Sequence, residues 1–340
     1  MRTSDFDYEL PQERIAQTPV SPRHDSRLLV LDRSDGSIEH VKFWDIDRFL
    51  QPGDLLVINE TRVIPARIYA HKKPGGGKAE LLLLKKQDHQ TWRVLGGGKG
   101  LKVGRRLSIE GGPDAEIIRV LDGPERLVRF NEPIEPYLDQ VGHVPLPPYI
   151  HTKLDDPERY QTVYAKKPGS AAAPTAGLHF TPPLMKKLSD AGIEFVHLTL
   201  HVGLDTFAPV TEEDPSEHKI HTEWCELSLK AAEKINAAKE AGKRVVAVGT
   251  TSVRTLETAA KQAGEGQVVA PFTGPTQLFI LPGFDFKVVD ALVTNFHLPK
   301  SSLIMLVSAF ARRELILATY QKAVEMDYRF FSFGDAMLIL

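Results

Sequence analysis

The alternation of apolar and polar positions changes its rhythm along the chain. In residues 24–58, SRLLVLD and IEHVKF are short β-type runs on either side of RSDGS, whose Asp35-Gly36 pair is a hairpin signal. DLLVINE follows Pro52-Gly53 as a short apolar run suited to a buried strand. From residue 66 to residue 142 the runs KAELLLLKK, TWRVLGG, RRLSIEG, AEIIRVL and RLVRF recur, separated by the glycine-rich turns PGGGK, LGGGKG, EGGP and LDGP. Strands repeating about every 10–12 residues with no long helical period predict a small antiparallel β-barrel.

Residues 145–167, rich in proline and tyrosine, read as a connection. Beyond Pro182 strands and helices alternate. PLMKKLSDAG is a helix ended by Gly192, IEFVHLTLHV a strand, LSLKAAEKINAAKEAG an amphipathic helix ended by Gly242 and KRVVAVGT a strand. SVRTLETAAKQAG is a helix, VVDALVT a strand, and KSSLIMLVSAFARRELILATYQKAV one helix or two. Such alternation predicts an α/β fold with a mainly parallel sheet. Residues 1–65 and 150–340 then form a discontinuous α/β body, and residues 66–149 are a barrel inserted into it. No repeat of 20–50 residues and no low-complexity tract interrupts the pattern.

Composition narrows the class. The 340 residues are 42% hydrophobic and 25% charged, as in ordinary globular proteins, and a chain of this length buries a core without disulfides or structural metal. The single cysteine, Cys225, has no partner for an internal disulfide and no electropositive sequence around it, so it reads as a small half-buried side chain rather than a nucleophile. The N-terminus lacks a secretory apolar run, and the most apolar stretch, residues 303–310, is too short to span a bilayer; the expectation is a cytoplasmic protein with no membrane partner. Net charge is −2, yet residues 67–129 hold 14 Lys+Arg against 7 Asp+Glu. A basic module on an acidic body suits local phosphate contact, with a merely solvated barrel surface as the plain alternative.

Common nucleotide cradles are missing: there is no GxxxxGK[ST], no GxGxxG and no GxSxG. Polar loops at strand ends remain, where ligands of open α/β sheets gather. In VGTTSVRTLE, Thr250, Thr251 and Ser252 open a helix and offer hydroxyls and free N–H groups to a carboxylate or phosphate, with Arg254 adding charge. A plain helix cap with an Arg254–Glu257 pair is the competing reading. In TNFHLPKSSL, Asn295 and His297 leave the end of a strand. GSAAAPTAGLHFT packs small residues before His179-Phe180, a wall that lets the backbone approach a flat ring closely. His218, His221 and Glu223 match no standard zinc spacing, and hydrogen-bonding histidines are the favoured reading over a metal.

These stretches together resemble one family, the S-adenosylmethionine:tRNA ribosyltransferase-isomerases of queuosine biosynthesis (QueA). The resemblance runs over nearly the whole chain, from FDYELPQERIAQTP and GDLLVINETRVIPAR through PLPPYI, ERYQTVYA and GSAAAPTAGLHFT to HVGLDTFAPV, VGTTSVRTLE, TNFHLPKSSLIMLVSAF and YRFFSFGDAMLIL. Two stretches depart: Asp205 stands where the family usually has glycine, and LGGGKGLKVG replaces a stretch usually containing Pro-Ala-Lys.

The resemblance implies transfer and isomerisation of the ribosyl moiety of S-adenosylmethionine onto 7-aminomethyl-7-deazaguanine (preQ1) at the wobble position of tRNAs with GUN anticodons, giving epoxyqueuosine-tRNA, adenine and methionine. It implies a monomer with no metal and no cofactor besides S-adenosylmethionine, which is consumed. His179 and His297 are then candidates for the base at C5′ and the acid at departing adenine, in either order, with Asp205 a further candidate. Ala173, Pro174, Thr175 and Gly177 would pack on adenine or ribose, and Phe180 or Phe296 would face the sulfonium. Thr250, Thr251, Ser252 and Arg254 would take the methionine carboxylate, with Asn295 beside them. Lys72, Lys73, Lys78, Lys85, Lys86, Lys99, Lys102, Arg105 and Arg106 are the expected tRNA contacts, with Arg14, Arg23 and Arg27 as the alternative place. Two other classes compete: a small-molecule S-adenosylmethionine enzyme such as a methyltransferase or lyase, which needs no basic barrel, and a non-catalytic RNA-binding protein, which needs neither histidine.

Overall fold

The computed structural model describes residues 1–152, 154–203 and 209–340. They divide into two compact units, Met1–Arg62, Pro148–Lys167 and Ala173–Leu340 forming one, Val63–Pro147 and Pro168–Ala172 the other. The first contributes β1 (Arg27–Leu31), β2 (Ile38–Lys42) and β3 (Leu55–Asn59). The second holds β4 (Arg67–Lys73), β5 (Lys78–Lys86), β6 (Thr91–Gly97), β7 (Arg106–Ser108), β8 (Ala115–Val120) and β9 (Glu125–Phe130). The chain then returns to the first unit with β10 (Glu194–His201), β11 (Glu223–Leu227), β12 (Val245–Val248), β13 (Phe272–Thr276), β14 (Ala291–Asn295) and β15 (Ala336–Ile339). Its longer helices are α1 (Pro182–Asp190), α2 (Leu229–Glu240), α3 (Thr250–Ala260), α4 (Ser302–Ala311) and α5 (Arg313–Glu325).

The body is one sheet in the order β13-β11-β10-β3-β12-β14-β15-β1-β2. Only its centre matches the expected parallel arrangement: β10, β3, β12 and β14 run parallel, as do β15 and β1. The pairs β10–β11, β11–β13, β14–β15 and β1–β2 are antiparallel, so the sheet is mixed rather than mainly parallel. The reason lies in three strands that carry little local signal. β13 is FTGPT, whose glycine and proline read as a turn and are tolerated because it is an edge strand. β11 lies in the histidine-containing loop, and β15 is four residues near the end of the sequence.

β3 shows why a buried strand reads as an unbroken apolar run. All five residues are buried; Leu55 and Val57 join the core beneath α2, α3, α4 and α5, while Leu56 and Ile58 join the core with α1, Phe43 and Phe180. The helices start where capping residues allow. The Ser228, Ser301 and Thr181 hydroxyls accept from the backbone N–H groups of Ala231, Ile304 and Leu184, opening α2, α4 and α1. Arg312, at φ 64°, breaks the last apolar segment into α4 and α5. In the other unit β4-β5-β6-β9-β8-β7 closes on itself through β7–β4 pairing, a six-stranded antiparallel barrel filled by side chains such as Ile68, Leu81, Val94, Leu107, Ile117 and Phe130.

Candidate active site

The four parallel central strands bring their carboxyl ends to one edge of the sheet. Three of the segments that leave there, Val202 after β10, Gly249 with Thr250 and Thr251 after β12, and residues 294–298 at the end of β14, line one cleft. Residues 173–176 form another wall, and Tyr149, Ser301, Leu303, Phe331 and Ser332 complete it. The location is the one expected of a ligand site in such a sheet.

The α3 terminus supplies donors. Gly249, at φ 87°, makes the turn from β12 into the helix, a conformation that a side chain disfavours. No side chain caps α3, so the first N–H groups, at Thr250 and Thr251, have no intrahelical acceptor, an arrangement that suits an anion. The buried Thr251 hydroxyl has no hydrogen-bond partner among the described residues. Ser252 and Arg254, expected at the same site, turn inward. The Ser252 hydroxyl donates to the carbonyl of Val248 at 2.8 Å. Arg254 forms a buried ion pair with Glu223, and its Nε donates to the carbonyl of Leu278. A guanidinium committed in this way is not available to a ligand in the cleft.

Asn295 is held from several sides. Its Nδ2 donates to the carbonyl of Phe331 at 3.1 Å and its Oδ1 accepts from the Thr175 hydroxyl at 3.0 Å, which fixes the amide's orientation. The same Nδ2 lies 3.2 Å from Nε2 of His179, so that nitrogen is an acceptor and Nδ1–H of His179 donates to the Ser26 hydroxyl at 2.7 Å. His179 also stacks on Phe43, ring centres 5.0 Å apart. Burial, with the charges of Arg23 and Arg329 nearby, pushes it down to about 3. It is therefore a neutral imidazole behind Asn295, and it lines a smaller adjoining cavity rather than the main cleft.

His297 does line the cleft. The Thr294 hydroxyl donates to the carbonyl of Asn295, so its oxygen accepts from Nε2–H of His297 at 2.7 Å. Nδ1 is left as a lone pair with no partner among the described residues. The loop is pinned as well: the Tyr8 hydroxyl donates to the His297 carbonyl at 2.5 Å, and the His297 N–H donates to the Tyr320 hydroxyl. Burial alone pushes this imidazole down to about 3.

Other expected residues lie elsewhere. A side chain at Gly177 would collide with the Tyr164 hydroxyl and Thr162, so its smallness serves packing rather than ligand approach. Phe180 is fully buried in the core with Phe43 and Leu184. Phe296 borders the cleft, but its ring is buried against Tyr320, Tyr328 and Phe330. Asp205 lies outside the described residues. Cys225 is wholly buried in β11, and burial pushes its thiol up to about 11, in keeping with an unreactive side chain. His218 bonds Glu212, and Glu223 is committed to Arg254 and the N–H of Gly203. Among the described residues no group of three or more His, Cys, Asp or Glu is arranged to hold a metal ion.

Tyr149, Phe331 and Ser332 line the cleft without having been named as site residues in the sequence, while Val202, Ser301 and Leu303 fall within the strand-end segments HVGLDTFAPV and TNFHLPKSSL. Tyr149 and Ser332 share a 2.7 Å hydroxyl bond and Phe331 sits at φ 69°. No local pattern marks them, because they come from the connection before residue 167 and from the C-terminal segment. On the barrel, Lys78, Lys85, Lys99 and Lys102 are exposed and Lys72 is half-buried, its Nζ donating to the Lys99 carbonyl. Lys73, Lys86 and Arg106 are exposed but paired with Asp114, Glu135 and Glu116, while Arg105 caps backbone carbonyls.

Comparison with known proteins agrees over the whole chain. Residues 3–339 match the family model described as queuosine biosynthesis protein. Curated proteins named S-adenosylmethionine:tRNA ribosyltransferase-isomerase from Carboxydothermus hydrogenoformans and Clostridioides difficile are 54% and 52% identical over 100% of both chains. A crystal structure of S-adenosylmethionine tRNA ribosyltransferase from Thermotoga maritima matches 99% of this chain and 100% of its own at 40% identity, with a TM-score of 0.58.

Proposed function

The chain belongs to the queuosine biosynthesis protein family, and from that membership we propose that it is an S-adenosylmethionine:tRNA ribosyltransferase-isomerase that moves the ribosyl moiety of S-adenosylmethionine onto 7-aminomethyl-7-deazaguanine at the wobble position of GUN-anticodon tRNAs. The products are epoxyqueuosine-tRNA, adenine and methionine. The protein acts as a cytoplasmic monomer, and S-adenosylmethionine is a consumed substrate with no further cofactor. Among the described residues no helix is long and apolar enough to cross a membrane.

The observation that carries this reading is the convergence of uncapped α3 donors, a wall of small residues and the His297 imidazole in one cleft. The Thr250 and Thr251 N–H groups suit the methionine carboxylate, and the unpartnered Thr251 hydroxyl adds a third donor. Residues 173–176 offer a thin wall for adenine and ribose. The sulfonium acidifies the C5′ protons. Nδ1 of His297 accepts one, the electron pair drives ribose rearrangement and expulsion of adenine, and the imidazolium so formed is the group that returns a proton to the departing base. An imidazole held well below its ordinary range starts neutral and gives up a proton readily, so one residue serves both steps. His179 then acts through Asn295 as a positioning residue. The exposed barrel lysines supply long-range attraction for RNA.

The test is incubation of the protein with labelled S-adenosylmethionine and tRNA carrying 7-aminomethyl-7-deazaguanine. Adenine and methionine released only with the modified tRNA, with label retained on RNA, are expected. Release of S-adenosylhomocysteine, or no turnover by folded protein, overturns the reading.

A further inference from the structure

His297 sits where regular structure has ended. β14 stops at Asn295 and α4 opens only after Ser301, so the main chain of residues 296–300 depends on partners from elsewhere. Residues 6–8, almost 300 positions away, supply them. The Phe6 carbonyl accepts from the Lys300 N–H at 3.1 Å, and Asp7 pairs with the Lys300 ammonium at 2.6 Å. Lys300 is at φ 56°, a conformation that a side chain disfavours and that persists only where surrounding contacts hold it.

Tyr8 acts on His297 directly. Its hydroxyl donates to the His297 carbonyl at 2.5 Å, while the Tyr320 hydroxyl accepts from the His297 N–H at 3.2 Å. The two phenol rings meet edge to face, centres 5.3 Å apart at 89°, and Tyr320 also packs on Phe296. One phenol therefore restrains the peptide before His297 and the other the peptide after it. The direction of the Cα–Cβ bond follows from those two planes. Burial pushes both phenols far up, so Tyr8 keeps the proton it donates. The Thr294 hydroxyl then ties the ring through Nε2 at 2.7 Å. Nδ1 is the ring atom left over. The other bonds of this segment serve other walls of the cleft: Gln17 donates to the Tyr149 carbonyl, and the Arg14 carbonyl accepts from the Phe330 N–H beside Phe331.

We infer that Tyr8 is a positioning residue for the transfer reaction: its hydroxyl, opposed by that of Tyr320, aims the His297 imidazole so that Nδ1 meets the proton it removes. The inference rests on the proposed role of His297 as the base and adds the group that orients it. A base must lie within about 2.6–3.2 Å of the atom whose proton it takes, and a misplacement of about 1 Å costs on the order of 10²-fold in rate. Tyr8 is one of several restraints on this loop, so loss of its hydroxyl should cost less, about 10-fold.

Tyr8→Phe in the full-length protein tests this, because it keeps the ring against Tyr320 and removes only the donor. Single-turnover adenine release, with S-adenosylmethionine and tRNA carrying 7-aminomethyl-7-deazaguanine, should slow by about 10-fold while the Kd for S-adenosylmethionine stays within about twofold. In a His297→Gln background the same substitution should change the rate by less than about twofold, since no imidazole is left to aim. The ring is also read without turnover. Nitrogen-15 correlation spectra, with the His297 signals assigned by their loss in His297→Gln, should show one tautomer protonated at Nε2 in wild type and a mixture in Tyr8→Phe. A Tyr8→Phe protein with the wild-type rate, or with an unaltered single tautomer, overturns the inference. A loss that persists in the His297→Gln background, or S-adenosylmethionine binding that weakens as much as the rate falls, overturns it too, because each marks a general loosening of the cleft. A slow His297→Gln protein beside a normal Tyr8→Phe one defeats this inference alone, whereas a His297→Gln protein as fast as wild type defeats the base assignment and this inference with it.

Discussion

Nε2 of His179 and Nδ2 of Asn295 lie 3.2 Å apart, joining a strand-end loop to a segment 116 residues away in sequence. This bond separates the roles of the two histidines. His297 borders the cleft with a free lone pair, whereas His179 faces it only through Asn295. His297→Ala should lower kcat by about 10²–10⁴-fold, the range for loss of a general acid–base group. His179→Ala should lower it less, by about 10-fold, with partial recovery in His179→Gln, whose amide can still accept from Asn295. Single-turnover adenine release measures both. An effect of His179→Ala as large as that of His297→Ala would place His179 at the reacting atoms instead.

Acid should destabilise the fold through both imidazoles. Their folded-state values, about 3, lie below the ordinary 6.5. Below pH 6.5 the unfolded chain gains protons that the folded chain refuses, so stability falls with pH down to about 3, by up to about 1.4 kcal/mol per pH unit for each group. Urea denaturation at pH 7 and pH 5 should show a larger loss for wild type than for a His179→Gln, His297→Gln double variant. Equal losses would mean that both histidines protonate freely in the folded protein.

Thr251→Val separates binding from stability. The Thr251 hydroxyl is buried without a partner, so its removal should leave the melting temperature unchanged or slightly raised. If the hydroxyl serves the methionine carboxylate, KM for S-adenosylmethionine should rise about 10-fold, equivalent to about 1.4 kcal/mol. An unchanged KM would leave the carboxylate to the backbone N–H groups alone.

Arg254→Met tests the inward assignment of that arginine. Its ion pair with Glu223 is shut away from solvent, with side-chain exposures of 6% and 3%. Removing one partner should cost about 3–5 kcal/mol in chemical denaturation, and Arg254→Met with Glu223→Leu should recover most of it. A stable Arg254→Met protein with a raised KM would return Arg254 to the ligand site.

Most of the elements are written locally. The Asp35-Gly36 hairpin, the glycines that end helices, the serine caps and the repeated barrel strands depend on neighbours a few residues away, and the structure forms them where those signals stand. The same holds for three loops of the cleft, since residues 173–175, Thr250 and Thr251, and Asn295 to His297 mark themselves by composition at element ends. The mixed sheet is not written in this way. Glu223–Leu227 and Phe272–Thr276 are weak strands on their own and gain their place by pairing with a formed edge.

The sequence by itself determined the helices, most of the strands, the barrel and the family, because each rests on short-range pattern or on long ordered matches. Only the tertiary structure decided that Arg254 neutralises Glu223 rather than a ligand, that Gly177 is small for Tyr164, and that His179 sits behind Asn295. A side chain's direction, exposure and partner are set by segments distant along the chain. A motif can therefore place a residue near a site while packing decides whether it faces that site.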